Sequence, residues 1–130
     1  YDGIEELLDQ LENRKLKLAI LSNKADELTQ IIVKKLLAHR PFEAVLGLRS
    51  DFPRKPDPAG ALIISKSLGI CPENMLYVGD SGVDMSAANN AGMFAVGVLW
   101  GFRTKQELQE NGAKILIKHP LDLLEVLREG

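Results

Sequence analysis

The chain has 130 residues, the length of one ordinary domain, with 45% apolar and 26% charged residues; this excludes disordered, collagenous and fibrous classes. Sixteen basic residues against 18 acidic ones leave a net charge of -2, which argues against a polyanion-binding surface and so against a nucleic-acid partner. No apolar run approaches the roughly 20 residues of a membrane span, the N-terminal residues lack the pattern of a signal peptide, and a single cysteine, Cys71, cannot form an internal disulfide. A soluble, cytoplasmic domain without a membrane partner is expected.

Apolar periodicity divides the chain into alternating helices and short strands. Ile4, Leu7, Leu8 and Leu11 form the buried stripe of a first helix, and Leu16 to Leu21 is a short apolar run, broken only by Lys17, that reads as a strand covered on both faces. Leu28, Ile31, Ile32 and Leu36 make a second helical stripe, and residues 44–48 a second strand. After the loop that ends Arg-Lys-Pro-Asp-Pro, Asp57 is placed to cap a helix with Pro58 at its first position, and Gly69 stops that helix after Leu68. Met75 to Val78 is the third strand. A helix of small residues follows, with Val83, Ala87, Ala88 and Ala91 on one side and Gly92 at its end. Phe94 to Val98 is the fourth strand. Thr104 and Glu107 have the spacing of a capping box for a helix over about 104–111, Ile115 to Ile117 is the last strand, and Pro120 opens a final helix.

Strands this short and apolar, alternating with helices, predict an α/β fold: a three-layer, Rossmann-like parallel sheet with helices on both faces. In such sheets ligands bind beyond the carboxyl ends of the strands. Those ends carry Ser22-Asn23-Lys24 and Asp80-Ser81-Gly82-Val83-Asp84, with Lys55 between them. Asp80 and Asp84, four apart across a strand-to-helix turn, suit a hard cation such as Mg2+. Ser22 and the amides after it could grip a phosphate at a helix N-terminus, and Lys55 would offset the charge of the phosphoryl oxygens. Each residue alone has an ordinary reading: a serine cap, a surface lysine, an aspartate cap and a first-turn acid. Their conjunction on successive strand ends points to phosphoryl transfer.

Leu-Ser-Asn-Lys at 21–24, Lys-Pro-Asp-Pro at 55–58, Val-Gly-Asp-Ser-Gly-Val-Asp-Met at 78–85, Asn-Asn-Ala-Gly-Met at 89–93 and Val-Leu-Trp-Gly at 98–101 occur in this order. The chain thereby resembles the haloacid dehalogenase superfamily, in its phosphoglycolate phosphatase-like branch, over essentially its whole length. The resemblance implies that Ser22 and the Asn23 amide bind the phosphoryl group, that Lys55 steadies its charge and the nucleophile, that Asp80 binds Mg2+, and that Asp84 supports the metal shell or positions Lys55. It implies a phosphatase of small phosphorylated metabolites acting through an aspartyl-phosphate.

That family's nucleophile lies in Asp-x-Asp-x-Thr on an earlier strand. The aspartates here are 2, 9, 26, 51, 57, 80, 84 and 122, and no two are separated by one residue. The resemblance therefore implies that residues 1–130 are the C-terminal portion of a haloacid dehalogenase-like core domain, without the central strand that carries the nucleophile and without the cap domain, and that the chain alone is inactive. Tyr1 falls where the chain would return from the cap. An N-terminal segment or a second copy is expected to complete the sheet. The alternative is a non-catalytic regulatory module of the same fold that retains a phosphate and metal pocket. A receiver-type signalling domain fits poorly, because Ser22-Asn23 stands where it needs an acidic pair, and dinucleotide binding lacks the third glycine.

Overall fold

The computed structural model describes residues 3–14, 16–25, 42–48, 55–100 and 103–129. In chain order the elements are α1 (Ile4–Asn13), β1 (Leu18–Ala25), β2 (Phe42–Leu48), α2 (Ala59–Leu68), a 3-10 turn (Pro72–Asn74), β3 (Leu76–Gly79), α3 (Gly82–Ala91), β4 (Phe94–Val98), α4 (Lys105–Glu110), β5 (Ile115–Ile117) and α5 (Asp122–Glu129). The stripe expected at residues 28–36 lies outside the described residues.

The α/β class holds, with parallel strand pairing throughout the described ladders. The strands form two sheets, β1-β2 and β3-β4-β5. Period-two alternation along β4 explains the layers. Ala95 faces a core that joins Ala61 of α2, Met85, Ala88 and Ala91 of α3, and Leu108 of α4. Val96 and Val98 face the opposite core, where Leu7 and Leu11 of α1 meet Ile117 and Leu123. Helices thus cover both faces of the three-stranded sheet, and β4 at its centre is nearly all buried. A third cluster packs Leu46 of β2 against Ile64 and Leu68 of α2.

Several boundaries differ from the sequence reading for local reasons. The first strand begins at Leu18, leaving Leu16 exposed, and it continues through Ser22, Asn23 and Lys24 instead of ending before them. Its pairing with β2 is irregular there: β1 advances from Leu21 to Ala25 while β2 advances only from Leu46 to Leu48. Such a bulge keeps the ladder going and turns the extra residues out of register. Pro58 is the cap of α2, one residue later than expected, although Asp57 does accept a hydrogen bond from the Ala59 N–H at 2.9 Å. In α3 the buried residues are Gly82, Asp84, Met85, Ala87, Ala88 and Ala91; the i, i+3, i+4, i+7 stripe among them starts at Asp84, so Val83 lies off it and is exposed. Gly69 and Gly92 end α2 and α3 in the left-handed conformation, as their positions predict. The final helix starts at Asp122, two residues beyond Pro120, and the Asp122 carboxylate accepts the N–H groups of Lys118 and His119 ahead of it.

Candidate functional site

A cleft of about 610 Å³ runs between the two sheets, bordered by Ala19 and Leu21 of β1 and by Leu76 to Asp80 of β3 and the turn after it. Lys55 and Asp84 line it as well. Three of the residues expected from sequence, Lys55, Asp80 and Asp84, are therefore brought together. Ser22 and Asn23 lie in the irregular stretch of β1 that follows Leu21, and their side chains lie outside the described residues.

Asp84 is the hub. Its Oδ1 pairs with the Lys55 ammonium at 2.6 Å, and the two side chains are only 11% and 13% exposed. The same oxygen accepts the Tyr77 hydroxyl at 3.3 Å, while Oδ2 accepts the Asp80 N–H at 3.2 Å and the Ser81 hydroxyl at 3.1 Å. A carboxylate so nearly removed from water needs this many donors. The Tyr77 hydroxyl is held far above its ordinary ionisation range, by burial first, then by the Asp84 charge and the hydrogen bond to it.

The sequence makes this approach possible. On β3, Tyr77 and Gly79 share the face turned to α3, and a Cβ on Gly79 would stand 2.4 Å from the Asp84 Cβ. Only a glycine lets the Asp84 side chain lie against the strand. Ser81, not Asp80, caps α3, its hydroxyl accepting the Asp84 N–H at 3.2 Å. Asp80 is thereby spared a capping role. Its carboxylate is exposed and has no hydrogen-bond or ion-pair partner among the described residues.

Two amides of the turn are already taken by carboxylates. Asp84 takes the Asp80 N–H, and Glu107 of α4 takes the Gly82 N–H at 2.8 Å, so carboxylates of the chain itself occupy amides that a phosphate would otherwise use. A cation suits the turn better. Among the described residues no three His, Cys, Asp or Glu side chains gather into a ready-made metal cage. Magnesium does not require one: it keeps several waters and binds through one or two carboxylates together with substrate phosphates. The free Asp80 carboxylate fits that mode. Asp84, engaged on both oxygens, is the better match to the second role expected for it, positioning Lys55.

Tyr77, Ser81 and Glu107 were not among the expected site residues. Strand alternation from Gly79 would have pointed to Tyr77, and the cap pattern to Ser81. Nothing local announces Glu107, whose partner is 25 residues away.

Residues 1–98 match the family model of haloacid dehalogenase-like hydrolases. The chain belongs to that family. Among characterised relatives, it is 30% identical over 124 residues to phosphoglycolate phosphatase 1 of Pseudomonas aeruginosa, covering 95% of this chain and 46% of that one. It is 32% identical over 126 residues to phosphoglycolate phosphatase of Xanthomonas campestris pv. campestris, covering 96% and 57%. A crystal structure from Lactobacillus delbrueckii subsp. bulgaricus superposes with a TM-score of 0.90 at 35% identity, over 98% of this chain and 53% of that one. A hydrolase from Pseudomonas syringae gives a TM-score of 0.82 at 33% identity, over 99% and 59%. The chain thus spans about half the length of the relatives it matches. No helix among the described residues is long and apolar enough to cross a membrane.

Proposed function

We propose that this haloacid dehalogenase-like chain is part of a cytoplasmic, Mg2+-dependent phosphatase that hydrolyses small phosphate monoesters of the phosphoglycolate kind. The observation that carries the reading is the buried Lys55–Asp84 pair beside the free Asp80 carboxylate at the edge of the cleft. A phosphoryl-transfer site needs a fixed cation against the phosphoryl oxygens and a carboxylate for the metal, held apart so that they do not neutralise each other. Asp84 does this by occupying Lys55 and leaving Asp80 outward. The names of the relatives supply the substrate class.

In this reading Ser22 and the Asn23 amide hold the phosphoryl group, Lys55 steadies its charge, and Asp80 holds Mg2+ with Asp84 behind it. The metal, when bound, supplies charge neutralisation at the phosphoryl oxygens. The nucleophile is an aspartate outside residues 1–130, on a strand seated in the cleft between β1 and β3 and supplied by an N-terminal segment, of the same chain or of a second copy of the longer protein. Its carboxylate attacks phosphorus, the ester P–O bond breaks as the leaving oxygen takes a proton, and water then cleaves the aspartyl-phosphate. The cleft supports this: the edge of β1 away from β2 and the edge of β3 away from β4 have no strand partner among the described residues.

The test is phosphate release from a panel of phosphate esters, with and without Mg2+. The protein in its full natural length is expected to turn over small monoesters only with the metal, and to lose that turnover in Lys55→Ala and Asp80→Ala. Residues 1–130 alone are expected to release none. Turnover by the 130-residue chain would overturn the assignment of the nucleophile, and an inert full-length protein would overturn the phosphatase.

A further inference from the structure

Thr104 and Glu107 have the spacing of a capping box, in which the glutamate turns back to the N–H of the cap residue. Only half of that motif forms. The Thr104 hydroxyl accepts the Glu107 N–H at 3.1 Å, but Glu107 Oε2 accepts the Gly82 N–H, at the first position of α3, at 2.8 Å, while Oε1 lies 3.6 Å from the Arg103 guanidinium ahead of α4. We propose that Glu107 is a positioning residue for the metal turn, gripping the Gly82 amide so that Asp80 is held with its carboxylate toward the cleft. This rests on the reading of Asp80 as the magnesium ligand.

Three observations carry it. The turn is clamped at both ends by carboxylates, Asp84 on the Asp80 N–H and Glu107 on the Gly82 N–H, and the acid between the two clamps is the one left free. The Asp84 clamp belongs to α3 itself and moves with it; among the described residues, Glu107 is the one that bonds a backbone amide of the turn from a separate element. Second, α4 lies flush on Gly82: a Cβ there would stand 2.5 Å from Asn111 Nδ2 and 3.2 Å from Glu107 Cγ. Third, the seam is locked beyond the carboxylate. Asn111 Nδ2 donates to the Glu107 carbonyl at 2.8 Å, and Asn111 Oδ1 accepts the Ser86 hydroxyl of α3 at 3.3 Å. A glutamate that served only to start α4 would have its partners at that start. Glu107 keeps one there, Arg103 at 3.6 Å from Oε1, and gives Oε2 to the turn that presents Asp80 at 2.8 Å.

A partly exposed carboxylate can be replaced at an amide by water, so its loss costs little stability but frees the turn. The experiment compares Glu107→Ala and Glu107→Gln in the full-length protein by calorimetric titration with Mg2+ alone, at a temperature where thermal melts show all variants folded. Glu107→Ala is expected to weaken magnesium binding about tenfold or more, the usual effect of losing a group that orients a metal ligand. Glu107→Gln, whose amide oxygen still accepts the Gly82 N–H, is expected to restore binding close to wild type. Unchanged magnesium affinity in Glu107→Ala, or a glutamine variant as weak as the alanine one, overturns the proposal while leaving Asp80 as ligand. Wild-type protein that binds no magnesium, or Asp80→Ala that binds it normally, overturns the metal assignment and the proposal with it.

Discussion

α3 and α4 begin with the same pattern, a hydroxyl residue followed three positions later by an acid: Ser81 with Asp84, and Thr104 with Glu107. In both, the hydroxyl accepts the N–H of the acid, at 3.2 and 3.1 Å. The carboxylates then part company. Asp84, short and buried, gathers Lys55, Tyr77, Ser81 and the Asp80 N–H at the cleft; Glu107, one methylene longer and a third exposed, keeps Arg103 beside Oε1 and reaches α3 with Oε2. The cap bond is local and follows from spacing alone, whereas the destination of the carboxylate is decided by which donors the fold brings near it.

Removing the Asp84 carboxylate tests this comparison with the largest expected effect. Asp84→Ala removes a nearly buried carboxylate that holds Lys55 at 2.6 Å and accepts three further donors, and is expected to lower stability by about 3 kcal/mol, read as the midpoint shift in urea denaturation. Replacing both partners by apolar residues, Lys55→Met with Asp84→Leu, should recover part of that loss, because it also removes the positive charge that Asp84 neutralises. A double variant as unstable as the single one would mean that Asp84 matters through Tyr77 and the turn instead.

Next comes the contact between the two helix starts. Gly82→Ala places a methyl 2.5 Å from Asn111 Nδ2 and should cost roughly 1–3 kcal/mol by overpacking. It should also loosen the grip of Glu107. Smaller again is the loss of each cap. Thr104→Ala is expected to cost about 1 kcal/mol or less, since its bond is exposed, and Ser81→Ala somewhat more, since its hydroxyl both caps α3 and donates to Asp84. Thermal melts of the two variants side by side would show the order; equal losses would mean that the Ser81 bond to Asp84 adds nothing.

The same division between local and tertiary runs through what could be read beforehand. Strand and helix order was legible because short apolar runs such as 94–98 alternate with helical stripes and because Gly69 and Gly92 stop helices where chirality requires. Lys55, Asp80 and Asp84 were legible as a group because each follows a strand. Val83 was misplaced, because its spacing to Ala87 fits a stripe whose inner position at that end is held by Asp84, a charged residue that periodicity reads as polar surface. The end of β1 was misplaced because a bulge depends on the length of its partner strand. Tyr77 reads as one more residue of an apolar run, although its hydroxyl needs a partner when buried and finds one in Asp84.

Tyr77 also gives the smallest effect at neutral pH and the sharpest one outside it. Tyr77→Phe removes a 3.3 Å bond to an oxygen that keeps Lys55, so below about pH 9 it should cost no more than about 1 kcal/mol. Above the ordinary tyrosine value of 10.0 the sign changes. The native hydroxyl resists ionising because it is buried against the Asp84 charge, while the unfolded one ionises freely, so the native state binds the extra proton and stability falls as pH rises. That stability is fully present below the unfolded value and is lost on the way up toward the folded one. Wild type should therefore show an alkaline limb steeper than that of Tyr77→Phe by at most about 1.4 kcal/mol per pH unit, measured by urea denaturation across that range. The two stability curves should cross. Parallel limbs would place the Tyr77 hydroxyl in contact with water and detach it from Asp84, leaving the carboxylate of α3 with one cation and its turn, nearer to Glu107 with Arg103 and one amide.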